Sequence, residues 1–180
     1  MKVTYIALLR GINVGGKNII KMEMLKQLFL DMSFCDVKTY IQSGNVIFRT
    51  QHADTLKLAK KIEEQLLKAF SAEIKTVVLT AAEWRDIVEN APESFGSEPL
   101  KFRYDVWFLL PEFSANECTS TIRLREGVDF LQAGKNVIYT SRLSNEINKS
   151  YLKKVNQLPI YKNVTIRNWN TTTKLCELTK

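Results

Sequence analysis

The stretch GNVIF, residues 44–48, recurs as GKNVIY at residues 134–139, with one inserted lysine. The separation between Asn45 and Asn136 is nearly the same as that between two predicted helix starts, Asp54 and Ser144. An element order that repeats at a nearly constant offset indicates an internal duplication. Each copy has the order of a ferredoxin-like βαββαβ unit with an antiparallel sheet. The predicted fold class is therefore α+β, with two such units plus connecting and C-terminal helices.

Apolar spacing predicts the elements of the first half. They are a strand from Val3 to Arg10, a helix with Met22, Leu25, Leu28, Phe29 and Met32 on its inner face, strands 37–41 and 45–50, a helix from Asp54 to about Phe70 and a strand 74–79. The inner face of the second helix is predicted to be Leu56, Ala59, Ile62, Leu66 and Ala69.

A capping box at Thr80–Glu83 predicts a connecting helix, which Pro92 ends. The segment 92–99 is the best boundary, so the predicted subdomains are 1–91 and 100–180. The second half is predicted to contain a strand 103–110, a capping box at 114–117 with a short helix, two strands around Gly134, a helix from Ser144 that carries Ile147, Tyr151, Val155 and Leu158, and a strand 164–167.

Composition narrows the class of protein. The chain has 180 residues, with 26 Lys+Arg against 19 Asp+Glu and a net charge of +7. This charge favours anionic partners without selecting one. Because no apolar run is long enough to span a bilayer and no signal segment opens the chain, we expect no membrane association and a cytoplasmic location. Cys35, Cys118 and Cys176 are far apart and are expected to be reduced.

The first candidate site is the glycine-rich segment 10–18, between the first strand and the first helix. Backbone N–H groups can converge in such a turn, and two cations flank it, so a phosphate or carboxylate could bind there. The predicted ligand-binding residues are Arg10, Asn13, Gly15, Gly16 and Lys17. The spacing of a Walker A loop is present, but Asn18 replaces the Ser/Thr that would bind magnesium and no Walker B strand follows. A purely conformational turn is the alternative.

Two further segments have polar side chains that suit binding. Gln42, Ser43 and Asn45 surround Gly44 in a predicted hairpin turn, which needs such residues in any case. This turn could join the glycine-rich loop only if both lie at the same end of the sheet, which requires that the first and second strands are not antiparallel.

The third segment precedes the C-terminal helix. Arg167 and Trp169, with Asn168 between them, are residue types favoured at binding surfaces. The alternative is a capped docking helix, with Asn170 or Thr171 as its N-cap and an inner face of Leu175 and Leu178.

The segments ALLRGINVGGKN (residues 7–18), TYIQSGNV (39–46) and RNWNT (167–171) resemble the bacterial family catalogued as domain of unknown function 1697. The resemblance spans essentially the whole chain and the three segments together are specific. It implies a two-part α/β fold with ferredoxin-like halves. It implies no reaction, substrate or catalytic residue.

Three functions remain open. The leading hypothesis is a protein that binds a small anionic or phosphorylated ligand through the glycine-rich loop. An alternative is RNA or single-stranded DNA binding on a ferredoxin-like sheet, for which Tyr5 and Phe48 are the nearest aromatic residues. The third is an enzyme that uses Ser43 or Lys17, with His52 as the one histidine available as base. No metal-ligand spacing is present, and neither a metal nor a cofactor is expected.

Overall fold

The computed structural model describes residues 1–16 and 18–180. These residues form two compact units, Met1–Arg85 together with Leu175–Lys180, and Asp86–Lys174. Each unit contains one four-stranded antiparallel sheet. The subdomain ranges 1–91 and 100–180 stay a prediction.

The first unit contains the sheet β2-β3-β1-β4. Its elements are β1 (Lys2–Leu9), α1 (Met22–Asp31), β2 (Cys35–Tyr40), β3 (Asn45–Gln51), α2 (Thr55–Phe70) and β4 (Thr76–Thr80), followed by α3 (Ala81–Glu89), which leads into the second unit. Strands β1 and β2 are both antiparallel to β3, so they run in the same direction. The loops that leave β1 and β2 therefore lie at the same end of the sheet.

The core of the first unit lies between one face of the sheet and helices α1 and α2. The sheet contributes Tyr5, Ala7, Leu9, Val46, Phe48 and Val78, and the helices contribute Leu25, Phe29, Leu58, Ile62 and Leu66. The predicted inner positions Leu56 and Ala69 are wrong, since Leu56 is 47% exposed and Ala69 is exposed as well. At about 100° per residue, Leu58 lies one turn before Ile62, whereas Leu56 lies on another side of the helix.

The second unit contains the sheet β6-β7-β5-β8. Its elements are β5 (Phe102–Leu109), α4 (Ala115–Ser120), β6 (Asp129–Ala133), β7 (Val137–Leu143) and β8 (Val164–Asn168). Helix α5 (Trp169–Leu178) begins in this unit and ends in the first. Trp107, Leu109 and Ile138 pack on the helical side of the sheet, with Leu152 and Ile160.

The α-helix predicted from Ser144 is wrong. Three short 3-10 helices occupy this stretch, at Ser144–Glu146, Leu152–Gln157 and Pro159–Asn163. Lys154 has non-helical backbone angles, and the residue before Pro159 is extended, as proline favours. The Asp129 carboxylate accepts hydrogen bonds from Ser150 Oγ and the Tyr151 amide, which tie the segment to β6.

The predicted helix caps divide into three outcomes. The Thr80 capping box is confirmed, because Glu83 Oε2 accepts from the Thr80 amide at 2.8 Å and Thr80 Oγ1 accepts from the Glu83 amide at 3.1 Å. Asp54 also caps α2 as predicted. Within the described residues, Ser114 makes no capping hydrogen bond. The N-terminus of α5 is capped by Asn168, whose Oδ1 accepts from the Asn170 amide at 3.0 Å, and not by Asn170 or Thr171.

The predicted match of Asn45 with Asn136 is one residue out of register. The Leu9 amide donates to Gly44 O at 2.8 Å, and the Leu109 amide donates to Asn136 O at 3.2 Å. Gly44 and Asn136 therefore occupy equivalent places, and both have positive φ, 71° and 60°. A shift of one residue moves a strand side chain to the other face of the sheet. Aligning the two repeated segments on Asn45 and Asn136 therefore pairs residues whose side chains lie on opposite faces of their sheets.

Candidate functional site

Two of the three candidate segments meet at one edge of the first unit. Asn13 Nδ2 donates to Gln42 O and to Ile20 O, each at 3.0 Å, and Asn13 Oδ1 accepts from the Ile20 amide at 2.8 Å. The glycine-rich loop is thereby closed on itself and fixed to the β2–β3 turn. We call residues 10–16 and 42–43 together the loop cluster.

Gly44 permits this close approach. Its φ is +71°, and a Cβ placed on it would lie 2.8 Å from Leu9 Cβ and 2.9 Å from Ile12 Cγ1. Ile12 is 1% exposed, so it anchors the start of the glycine-rich loop beneath the turn. Gly44 is thus needed for the contact between the two loops as well as for the hairpin.

The outer part of the loop cluster is open to solvent. Gly15 and Gly16 are exposed, and a Cβ on either would meet nothing within 4 Å. Gln42 is exposed, and Arg10 and Ser43 are half-buried. Lys17, which is predicted to contribute a cation, lies outside the described residues.

Two of the predicted ligand-binding side chains hold the loops in shape, and their contact with a ligand stays a prediction. Asn45 is 0% exposed, and its Nδ2 donates to Tyr40 O and to Ser43 Oγ, each at 3.0 Å. Both amide protons of Asn13 are likewise committed to main-chain oxygens. The engaged amides stabilise the two loops, with Asn45 fully buried and Asn13 half-buried.

The third segment lies in the second unit. Arg167 is 8% exposed, and its Nη1 donates to Thr165 Oγ1 at 3.0 Å and to Ile166 O at 2.8 Å. Burial lowers the pKa of Arg167 to about 10. Asn168 donates from Nδ2 to Tyr104 O at 2.9 Å, and Trp169 packs edge-to-face on Phe95.

Asn168 and Trp169 line a small cavity of about 220 Å³, which Arg103 also borders. Arg167 does not line it. Of the three residues predicted in this segment, two therefore face a cavity, and the third is a buried cation of the sheet.

The family described as protein of unknown function (DUF1697) matches residues 1–139. The chain belongs to this family. Its fold is similar to the structure of a conserved bacterial protein from Streptococcus pneumoniae, with a TM-score of 0.88, 27% sequence identity and 100% of each chain covered. A comparison with curated proteins finds no match. Family membership thus comes with no assigned reaction.

The residues named for the enzyme and nucleic acid alternatives are not arranged as those functions require. Ser43 precedes β3 and His52 follows it, so the two lie about 20 Å apart or more along the strand and do not form a nucleophile–base pair. Tyr5 and Phe48 are each 0% exposed and stack in the core with ring centres 5.6 Å apart. These rings are inaccessible to a nucleic acid base.

Sequence reasoning missed a group of aromatic side chains in the second unit. Phe95, Phe102, Tyr104, Phe130 and Tyr139 line a cavity of about 510 Å³. The available signal was the alternation of Phe102 and Tyr104 along β5, which places both rings on one face.

Among the described residues no helix is long and apolar enough to cross a membrane.

Proposed function

We propose that the protein binds a small anionic or phosphorylated ligand at the loop cluster of its first unit. The observation that carries this proposal is the hydrogen bond from Asn13 to Gln42 O, which fixes the glycine-rich loop against the β2–β3 turn. The ligand would contact Arg10, the amides of Gly15 and Gly16, Lys17, and the side chains of Gln42 and Ser43.

The chemistry of these groups suits an anion. Successive main-chain N–H groups in a turn can form a concave site for an anion, and Gly15 and Gly16, with φ of 59° and 74°, lie in such a turn. Arg10 directly follows β1, so its backbone is held by the sheet through a bond from its amide to Lys75 O at 2.9 Å. The net charge of +7 adds a long-range attraction for the same class of ligand.

The proposal also covers the fold of the protein and its location in the cell. The two sheets have equivalent strand orders, which supports a duplicated ferredoxin-like unit with subdomains 1–91 and 100–180. The three cysteines, Cys35, Cys118 and Cys176, are free thiols, in keeping with a reducing, cytoplasmic location. In a duplicated fold, the 3-10 helices between β7 and β8 correspond to α2, which connects β3 to β4 in the first unit.

The test uses inorganic phosphate and two matched glycine variants. Gly16→Ala and Gly127→Ala both place a Cβ at a positive φ, 74° and 72°, in open space. We expect each to lower the free energy of unfolding by about 1–2 kcal/mol, since the backbone strain is the same. Calorimetric titration with phosphate at constant ionic strength then compares the three proteins.

We expect phosphate to bind the parent and Gly127→Ala proteins equally and Gly16→Ala at least about tenfold more weakly, a loss of about 1.4 kcal/mol of binding free energy. Equal affinity in Gly16→Ala, or no saturable binding by the parent protein, would refute the proposal. Binding that disappears when ionic strength is raised would indicate diffuse attraction to the basic surface instead.

A further inference from the structure

Aromatic side chains of the second unit line a cavity of about 510 Å³ beside the sheet. Its volume lies in the range of about 300–1,000 Å³ that small-molecule sites occupy. We call it the ring cavity, defined by Phe95, Phe102, Tyr104, Phe130 and Tyr139. It shares no residue with the loop cluster.

The sheet register explains why these rings converge. Tyr104 on β5 and Phe130 on β6 are both paired with Ser141 on β7, so the three side chains lie on one face. Phe102 lies on the same face, two residues before Tyr104. Trp107 and Leu109, an odd number of residues further, point to the opposite, helix-covered face. The ring cavity is therefore on the side of the sheet away from α4 and the 3-10 helices.

The rings contact one another at steep angles. Phe102 meets Phe130 at 82° with ring centres 5.7 Å apart, and Phe95 meets Tyr104 at 68° and 4.9 Å. Phe130 is nevertheless 45% exposed. An exposed ring beside other rings offers an aromatic face on which a planar ligand can stack, a contact worth about 1–3 kcal/mol per base in nucleobase sites.

An unpaired hydroxyl in the wall adds an independent observation. Tyr104 is only 8% exposed, yet its hydroxyl has no hydrogen-bonding partner in the part of the chain that the structure describes. Because no buried side-chain nitrogen or oxygen among the described residues lacks a partner, this hydroxyl reaches solvent, and it can donate to an acceptor bound in the cavity. The side chains of Ser141 and Gln132 also line the cavity and are likewise without partners among the described residues.

Other polar groups of the wall are already satisfied. The Tyr139 hydroxyl donates to Ile87 O at 2.6 Å, and burial, with the charge of Asp86, raises the pKa of Tyr139 to about 12. Asp129 accepts from the Arg125 amide at 2.9 Å and from Ser150 Oγ. The hydroxyl of Tyr104 thus differs from those of Tyr139 and Ser150, which are already engaged.

The charge of the wall selects the class of ligand. Its charged lining residues are Glu93 and Asp129, both acidic, and Lys101 Nζ lies 5.1 Å from the Phe102 ring centre, so the wall has no excess of positive charge that would select an anion. We infer that the ring cavity binds a neutral, planar heteroaromatic molecule of nucleobase size, which stacks on Phe130 and accepts a hydrogen bond from Tyr104. This site is independent of the proposed anion site.

The test is a titration with adenosine, with cyclohexanol as a non-planar probe and a short oligoadenylate as a nucleic acid probe. Phe130→Ala removes the exposed ring. Leu67→Ala in the first unit is the matched control, since Leu67 is 46% exposed against 45% for Phe130. Tyr104→Phe keeps the ring and removes only the hydroxyl.

We expect saturable adenosine binding that Phe130→Ala weakens about tenfold, that Leu67→Ala leaves unchanged, and that Tyr104→Phe weakens about five- to tenfold. Tyr104→Phe is expected to leave the melting temperature unchanged or raise it, because the hydroxyl has no partner to lose. No adenosine binding, or binding insensitive to Phe130→Ala, would overturn the inference. Tighter binding of cyclohexanol would also overturn it, as would tighter binding of oligoadenylate that Phe130→Ala abolishes.

Discussion

The side-chain amide of Asn13 donates to the main-chain oxygen of Gln42 at 3.0 Å and thereby joins two loops that are far apart in the sequence. Because β1 and β2 run in the same direction, both loops leave the same end of the sheet. Asn13 has a φ of 54°, a conformation that asparagine tolerates better than most residues. The conformation and the hydrogen bonds of Asn13 together determine the shape of the loop cluster.

Replacing Asn13 should therefore destabilise the first unit. Asn13→Ala removes three hydrogen bonds, one of them to the partly buried Ile20 amide. Asn18→Ala is the matched control, because Asn18 also has a positive φ, 47°, but its side chain makes one bond of 3.3 Å, to Gly11 O. We expect Asn13→Ala to lower the free energy of unfolding by about 2 kcal/mol more than Asn18→Ala. Urea denaturation measures both; equal losses would contradict the bridging role.

A Cβ at Gly44 should be costly for a different reason. It would lie 2.8 Å from Leu9 Cβ, part of the rigid strand β1. Gly11→Ala provides the comparison, since Gly11 has a similar φ of +68° with nothing within 4 Å. We expect Gly44→Ala to cost about 1–3 kcal/mol more than Gly11→Ala in urea denaturation, the range for overpacking. Two variants of equal stability would mean that the loops separate without penalty.

Asp129 should determine the conformation of the segment that follows β7. Its carboxylate accepts from Ser150 Oγ, the Tyr151 amide and the Arg125 amide. Asp129→Ala is expected to cost about 3 kcal/mol and to increase hydrogen exchange at residues 150–157, because charged acceptors stabilise their donors strongly. Glu126→Ala, at an exposed position nearby, should change neither quantity. Unchanged exchange in Asp129→Ala would show that the 3-10 segment holds its shape by itself.

The stability of the second unit should depend on Tyr139 at alkaline pH. Burial and then the charge of Asp86 raise the pKa of Tyr139 from 10 to about 12, so the folded state retains a proton that the unfolded state loses. The stabilisation by Tyr139 is complete below pH 10 and is lost as the pH rises to 12. The buried Arg167, whose pKa is lowered to about 10, has the opposite effect.

The difference between the parent protein and Tyr139→Phe isolates the tyrosine. At pH 8 the parent should be more stable by about 1 kcal/mol, because it keeps the bond to Ile87 O. This advantage should shrink between pH 10 and 12, as measured by urea denaturation at each pH. An advantage that stays constant over this range would contradict the burial of the hydroxyl.

Local patterns predicted much of the fold. The Thr80 and Asp54 caps involve atoms only three residues apart, so the sequence alone is sufficient to identify them. The predicted helix from Ser144 failed because Asp129, more than a dozen residues earlier in the chain, holds Ser150 and Tyr151. Contacts over such separations leave no periodic signal.

The sequence predicted only part of the candidate site, because the rest depends on contacts between residues that are far apart in the chain. Residue types indicated two loops with special backbone geometry, but they did not indicate that Asn45 is 0% exposed or that Leu9 and Ile12 lie close against Gly44. The alternation of Phe102 and Tyr104 indicates a shared face, but it does not show that Phe130 lies beside them. Only the register of β5, β6 and β7 brings them together.

The most direct test of the proposed anion site is an amide chemical-shift titration of the ¹⁵N-labelled protein with inorganic phosphate at constant ionic strength. The proposal predicts saturable shifts that are largest at the amides of Gly15 and Gly16, with smaller shifts at Gln42 and Ser43. Shifts spread evenly over exposed lysines, or none at the two glycines at saturating phosphate, would contradict it.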